Sequence, residues 1–336
     1  MAAFVVLPRP AAADDELTLV DIYPSSFFEV LPDVAEHAGF FKAEHLIVHV
    51  QYAGNPALAV QAVAAGKGDV ASINSDGIIL GYEKGVRMTA FLSHSPVFQD
   101  VLGVLASSSI HTLGDFKGKV IGETSIGQPG EVFTRALLAG AGLGPGDYSF
   151  APIGIGAQAI SALTSGRVDG LVQPLPQQRI YEVMNGLTFR YFFNPLLSDV
   201  PNSAWVTSPA TIANKAGLLR RFSRAMVEAS IVVRENPRLA AKYFVEDSGG
   251  KVTDEAIADE ARLLAVSQNM LPAVDPTSKT IGLIPFRGVA LYTKFMYDNG
   301  LTTVRVPPQA VTTDRFIAYA NDFDHKAFIA RAKALR

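Results

Sequence analysis

The chain has 336 residues, 49% hydrophobic and 18% charged, with a net charge of −3 and no cysteine. This balance suits one large or two ordinary domains with a buried core and excludes an extended disordered chain. The slight acidity, without any basic block, argues against nucleic acid as a partner. No apolar run reaches the ~18–20 residues that span a bilayer.

Residues 1–13, MAAFVVLPRPAAA, carry a short apolar patch and an Ala-x-Ala ahead of acidic residues. They resemble the remnant of a secretory signal whose start lies upstream, although a basic leading segment is missing. From Asp14 the pattern is strand, turn, amphipathic helix, repeated. LTLVDI (17–22) reads as a strand, and FEVLPDVAEHAGFF as a helix that Pro32 must start or break. LIVHVQYA (46–53) is a strand, ALAVQAVAAG a helix, and DVASI (69–73), RMTAFLS (87–93) and VLGVLAS (101–107) are further strands. After a turn, KVIGE leads to a helix over EVFTRALLAGAG, with Pro129 near its start and glycines at its end. YSFAPI, AQAISALTSG and DGLVQP repeat strand, helix, strand; SAWVTS (203–208) is a lone strand. Helices then dominate, near 210–234, 237–246, 254–268, 286–299 and from about 313.

Alternating strands and helices predict mostly parallel sheets covered on both faces. The pattern divides into two α/β lobes, 14–103 with 205–336 and 104–204, the second inserted into the first. The strands 101–107 and 203–208 bracket the insertion and are the expected crossings between the lobes.

One junction occurs twice. AVAAGKGDVASI and ALTSGRVDGLV each end a helix at Gly66 or Gly166 and start a buried strand after Asp69 or Asp169, 100 positions later. Glycine supplies the left-handed conformation that releases a helix end. Lys67 or Arg167 meets the negative helix terminus, and the aspartate caps the turn. These residues are scaffold. Beyond each strand lies a polar loop, Asn74-Ser75-Asp76-Gly77 or Gln173-Pro174. In open α/β sheets ligands sit past the carboxyl ends of strands, so the two loops are expected to face each other across a cleft.

AEHAGFFKAEHLIVHV, AVAAGKGDVASI, HTLGDFKGKVIG and ALTSGRVDGLV resemble, in order and spacing, the solute-binding proteins of ABC importers. The nearest resemblance is to the nitrate/sulfonate/thiamine-precursor group (NMT1/THI5-like and SsuA-like). It spans about residues 17 to 245. It implies an α/β fold of the type II periplasmic-binding class, with two lobes, two crossing hinge strands and a helical C-terminal region. It also implies a monomeric periplasmic receptor, not lipid-anchored, without cofactor or metal, that closes on a small-molecule solute. Its partners would be the permease and ATPase subunits of an importer. The family's usual glycine after KAE is His45 here, and an aromatic common in relatives is replaced by Gln173-Pro174. An enzyme on the same fold is the alternative, of menaquinone- or thiamine-pathway type. The thiamine-pathway members depend on a cysteine-rich motif that this chain lacks.

Ligand contacts are expected at Thr124, Ser125 and Gln128, where hydroxyls and N–H groups precede a helix. In the other lobe they are expected at Asn74, Ser75 and Asp76. Asp76 suits an amine or amidine, or else caps the following helix. Tyr23 and Phe27 after the first strand, His94 at a strand end, Gln173 and Pro174, and Trp205 complete the expected wall. The absence of Lys and Arg from these loops favours an uncharged or heteroaromatic solute. His45 and His49 sit about 13 Å apart on a strand, too far to share a metal. GIGAQA lacks the acidic partner of a dinucleotide site, and GETSIG is not a nucleophile elbow.

Overall fold

The computed structural model describes residues 14–21, 30–95, 98–125, 129–194, 200–249, 251–268 and 279–336. The expected signal remnant, together with Tyr23, Phe27 and Gln128, lies outside the described residues.

The chain opens with β1 (Asp15–Asp21), α1 (Val30–His37), α2 (Phe40–Ala43) and β2 (Leu46–Tyr52). Pro32 sits in the first turn of α1, where a missing N–H costs nothing. His45, between α2 and β2, has φ 53°, a left-handed backbone at a non-glycine residue. Next come α3 (Pro56–Ala64), β3 (Val70–Asn74), α4 (Ser75–Glu83) and β4 (Thr89–Ser95). Then follow β5 (Asp100–Leu105), β6 (Lys119–Glu123), α5 (Pro129–Gly140), β7 (Tyr148–Pro152) and α6 (Ala157–Thr164). β8 (Gly170–Pro174), α7 (Leu175–Asn185), β9 (Phe189–Phe192) and β10 (Ser203–Thr207) complete the strands. The C-terminal region holds α8 (Pro209–Asn214), α9 (Ala216–Glu235), α10 (Pro237–Asp247), α11 (Asp254–Gln268) and α12 (Phe286–Asp298). It ends with α13 (Pro308–Val311), α14 (Ile317–Ala320) and α15 (His325–Ala334), so the single helix expected from about 313 is three short ones.

Two five-stranded sheets share one plan. The first runs β2-β1-β3-β10-β4 and the second β7-β6-β8-β5-β9. In each the fourth strand is antiparallel: β10 against β3 and β4, and β5 against β8 and β9. SAWVTS is therefore a paired central strand. The strands expected to cross lie one in each sheet. The chain leaves the first sheet after Ser95 to enter the second at Asp100, and leaves the second after Phe192 to return at Ser203, so it changes sheets a few residues before the expected boundaries at 103/104 and 204/205.

The repeated junction explains part of this likeness. Gly66 and Gly166 end α3 and α6 at φ 71° and 74°. The Asp69 carboxylate accepts the N–H of Thr18 in β1 at 3.0 Å, and the Asp169 carboxylate accepts that of Val120 in β6 at 2.9 Å. Their backbone N–H groups donate to the carbonyls of Thr18 and Val120. Each aspartate thus pins its strand beside its parallel neighbour, β1 or β6, the second strand in the order of each sheet. Lys215 at 2.6 Å from Asp69, and Lys119 at 3.3 Å from Asp169, add opposite charges.

Both faces of the first sheet are covered. Leu17, Leu19, Phe91 and Trp205 pack under α1, α9, α10 and α15, while Val20, Ala71, Ile73 and Ala204 pack under α3, α4 and α12. The second sheet lies between α5 on one side and α6 with α7 on the other. Two helices bridge the lobes: α11 packs on both α10 and α7, and Phe133 of α5 enters the cluster beneath α12.

Candidate functional site

At the carboxyl end of β3, Asn74 is exposed and in N-cap position on α4, but its side chain makes no capping bond. Ser75 is buried. Its hydroxyl donates to the carbonyl of Pro201 at 2.7 Å, and its N–H donates to that of Asn202 at 2.9 Å. Those bonds tie α4 to the chain returning from the second lobe, so Ser75 is a joint rather than a ligand contact. Asp76, one residue on, is deeply enclosed yet keeps some accessible surface. Burial raises its pKa, outweighing the N–H groups of Asp76 and Gly77 that bond its carboxylate.

His94 has the same character at the end of β4. Its Nε2 lies 3.0 Å from the Ser72 hydroxyl, and burial pushes its pKa down to about 4, so the ring is neutral at pH 7. Its ring lies 4.9 Å from that of Trp205. Trp205 itself is 1% exposed and meets Phe222 edge-on at 5.7 Å. The lone tryptophan is therefore core of the first lobe and is withdrawn from the expected wall.

In the second lobe Thr124 and Ser125 are exposed between β6 and α5, as a ligand loop requires. Gln173 is not free. Its Nε2 donates to the carbonyl of Gly154 at 2.7 Å, and its Oε1 accepts from the Tyr181 hydroxyl at 3.0 Å. It is a 1%-exposed strut inside the lobe, so its assignment to the wall is corrected. Pro174 is half-buried at the start of α7.

An acidic residue lies across the ladder from this strand end. Asp100 opens β5 directly opposite Pro174. A Cβ placed on Gly130 would meet the Asp100 Oδ2 at 2.5 Å, so the carboxylate lies against the start of α5. Burial first, and then the charge of Asp76, push Asp100 up to about 7. Tyr292 of α12 joins them. It is 1% exposed, its hydroxyl has no hydrogen-bond partner, and burial, Asp76 and Asp100 all raise its pKa. Among the described residues no lysine or arginine acts on any of these three groups.

Aromatic rings flank this cluster. Phe133 stacks on Phe295 at 4.0 Å and on Tyr292 at 5.7 Å, and Phe98 tilts against Phe133 at 4.7 Å. At the end of β6, next to Thr124 in the chain, Glu123 is buried and faces Glu131. Burial and the facing Glu131 push it up to about 7, while Arg135, 2.6 Å from Glu131, opposes the shift. No cluster of His, Cys, Asp and Glu among the described residues fits a metal ion. Asp100 and Tyr292 were not expected as site residues. Asp100 looks like the polar edge of an apolar strand, and Tyr292 like one member of a buried helical stripe.

The profile of the family described as NMT1/THI5 like matches residues 33–240. No curated protein sequence matches the chain. Among solved structures, the aliphatic sulphonate binding protein SsuA of Escherichia coli superposes with a TM-score of 0.66 at 16% identity, over 88% of this chain and 91% of that one. SsuA of Xanthomonas axonopodis pv. citri, bound to MOPS, gives 0.62 at 15% identity, over 90% and 99%. The desulfurization enzyme DSZB gives 0.53 at 16% identity, over 91% and 98%. Such identities speak for the fold alone. With the family profile covering more than half the chain and two sheets of one shared plan, this protein belongs to the NMT1/THI5-like family and has the two-lobed type II periplasmic-binding fold.

Proposed function

We propose that this chain is the periplasmic solute receptor of an ABC importer, a monomer whose lobes close on a small organic molecule. The observation that supports the reading is the meeting of buried or half-buried polar and aromatic groups from both sheets and their covering helices. Asp76 and Tyr292 come from the first, Asp100 and Phe133 from the second. A solute touching both walls favours the closed state only by its differential affinity for it. Closure then presents a joined outer surface to permease subunits. Asn74, Thr124 and Ser125 remain proposed contacts, with His94 and Pro174 at the margin; Tyr23, Phe27 and Gln128 remain proposed from the sequence alone.

The DSZB likeness keeps an enzyme in view, with a cleft that turns its ligand over. With no cysteine in the chain, any such chemistry needs another nucleophile. The test is native mass spectrometry of the protein purified from the periplasm, followed by a thermal-shift panel. A receptor retains a solute that is recovered intact and raises stability by RT ln(1 + [L]/Kd), about 2.7 kcal/mol at 100 Kd. Chemical change of the bound solute would favour the enzyme. Absence of any retained or stabilising small molecule would overturn both readings.

A further inference from the structure

We infer that the cleft takes a cationic nitrogen, an ammonium, amidinium or guanidinium group, held between the carboxylates of Asp76 and Asp100 with the Tyr292 hydroxyl as a third contact. The inference rests on the receptor reading and names its ligand class.

Three observations converge on it. The carboxylates come from opposite lobes, at equivalent strand ends: Asp76 lies two residues past the last residue of β3, and Asp100 stands opposite the last residue of β8. Bringing two negative charges together as the lobes close is unfavourable unless something positive joins them. Tyr292 supplies the second line of evidence. Its hydroxyl is buried without a partner, an unusual cost in a folded protein. Its ring stacks on Phe133, one turn of α5 beyond the Gly130 that Asp100 lies against, and lines a small cavity with Ser75 and Ile79, which flank Asp76 in the chain. A phenol oxygen can accept from an N–H and complete a three-acceptor cradle. Third, the described surroundings contain no competing cation. On α5, Glu131 is bound to Arg135 and faces Glu123 of β6, and His94 on β4 is neutral beside Ser72. The rings of Phe98, Phe133 and Phe295 line the same junction and add faces that attract a cation. A sulfonate, the ligand class named for the SsuA structures, would meet two carboxylates and no described positive group here.

The proton is the natural substitute for such a ligand. With Asp100 pushed up to about 7, protonation relieves the pair when nothing is bound, and an arriving cation displaces that proton. Cation affinity therefore rises with pH up to about 7 and then levels.

The test uses the whole purified chain, with benzylamine, benzamidine and agmatine as cations, benzyl alcohol as the neutral isostere, and benzenesulfonate and benzoate as anions. The expected result is that at least one cation binds about tenfold or more tighter than every neutral and anionic probe. Its affinity should fall about tenfold or more in both Asp76→Asn and Asp100→Asn, and several-fold in Tyr292→Phe, with far-UV circular dichroism unchanged. Calorimetry in two buffers of different ionisation enthalpy should register proton release at pH 6 and almost none at pH 8. Tighter binding of an anion or neutral probe, or full cation affinity in both Asn variants, overturns the inference while leaving a receptor. If no probe binds but native mass spectrometry finds a retained solute without a basic nitrogen, the inference again falls alone. If nothing binds and nothing is retained, the receptor reading falls with it.

Discussion

Phe133→Ala separates lobe closure from global stability. Phe133 belongs to the second lobe, yet it is 3% exposed within a cluster whose other members come chiefly from the first. Removing a fully packed phenylalanine costs about 3–5 kcal/mol, and each of its stacked contacts with Phe295 and Tyr292 contributes about 0.5–1.5 kcal/mol of that. These neighbours lie across the cleft, so the loss falls on the closing step. On the order of 2 kcal/mol charged to closure shifts the open–closed equilibrium about 30-fold toward open. Small-angle scattering of the unliganded variant should give a larger radius of gyration. Its solute affinity should drop by a similar factor, and urea denaturation should show a smaller loss than the full core penalty. An unchanged radius and affinity, with the whole 3–5 kcal/mol appearing in unfolding, would show that Phe133 belongs to a rigid single core and refute the reasoning.

Asp100, raised from 3.8 to about 7, stays protonated in the native state at pH values where the unfolded chain has released its proton, so it lowers stability as pH rises from about 4 to 7. The rise corresponds to at most ~4 kcal/mol, reduced to on the order of 2 by solvent access, and Asp100→Asn should flatten that part of the stability–pH curve in thermal scans. Glu123, also pushed to about 7, contributes with the same sign, so Glu123→Gln should stabilise the protein at pH 8 relative to pH 5. His45→Gly should raise stability by about 0.5–1 kcal/mol in urea, since it relieves φ 53° at a non-glycine residue whose side chain is exposed; a loss would mean that its contact with Asp14 outweighs the strain. Asp69→Ala and Asp169→Ala should each cost about 1–3 kcal/mol by leaving the N–H of Thr18 or Val120 without its acceptor. A neutral result at either site would break the equivalence of the two junctions.

Elements with strong local signals were readable in the chain. β1, β2, α3, β3, α5, β7, α6 and β8 lie within a few residues of their expected places, because alternation, helical spacing and flanking Gly or Pro each act over one or two turns. α7 was missed: LPQQRIYEVMN is polar for a buried helix, and its Gln178 is buried while donating to the carbonyls of Val101 and Gln173. β9 was missed because four residues, FRYF, are too few to display a period. Of the expected site, Asn74, Thr124 and Ser125 lie exposed at strand ends and Asp76 is half-buried, whereas Gln173 and Trp205 are buried. Alternation tells which residues share a face of a strand; which of two faces holds a ligand depends on what packs there.

The sequence by itself determined the two lobes. Gly66 and Gly166 need left-handed backbone, Asp69 and Asp169 need a neighbouring N–H, and those local demands reproduce one sheet plan twice. The tertiary structure alone decided which groups meet in the cleft. Asp76, Asp100 and Tyr292 are separated by 24 and 192 positions and belong to a helix start, a strand start and a late helix. No local pattern couples them. Their shared electrostatics exists only after two sheets and α12 have been brought together, because charges influence one another through space and not along the chain.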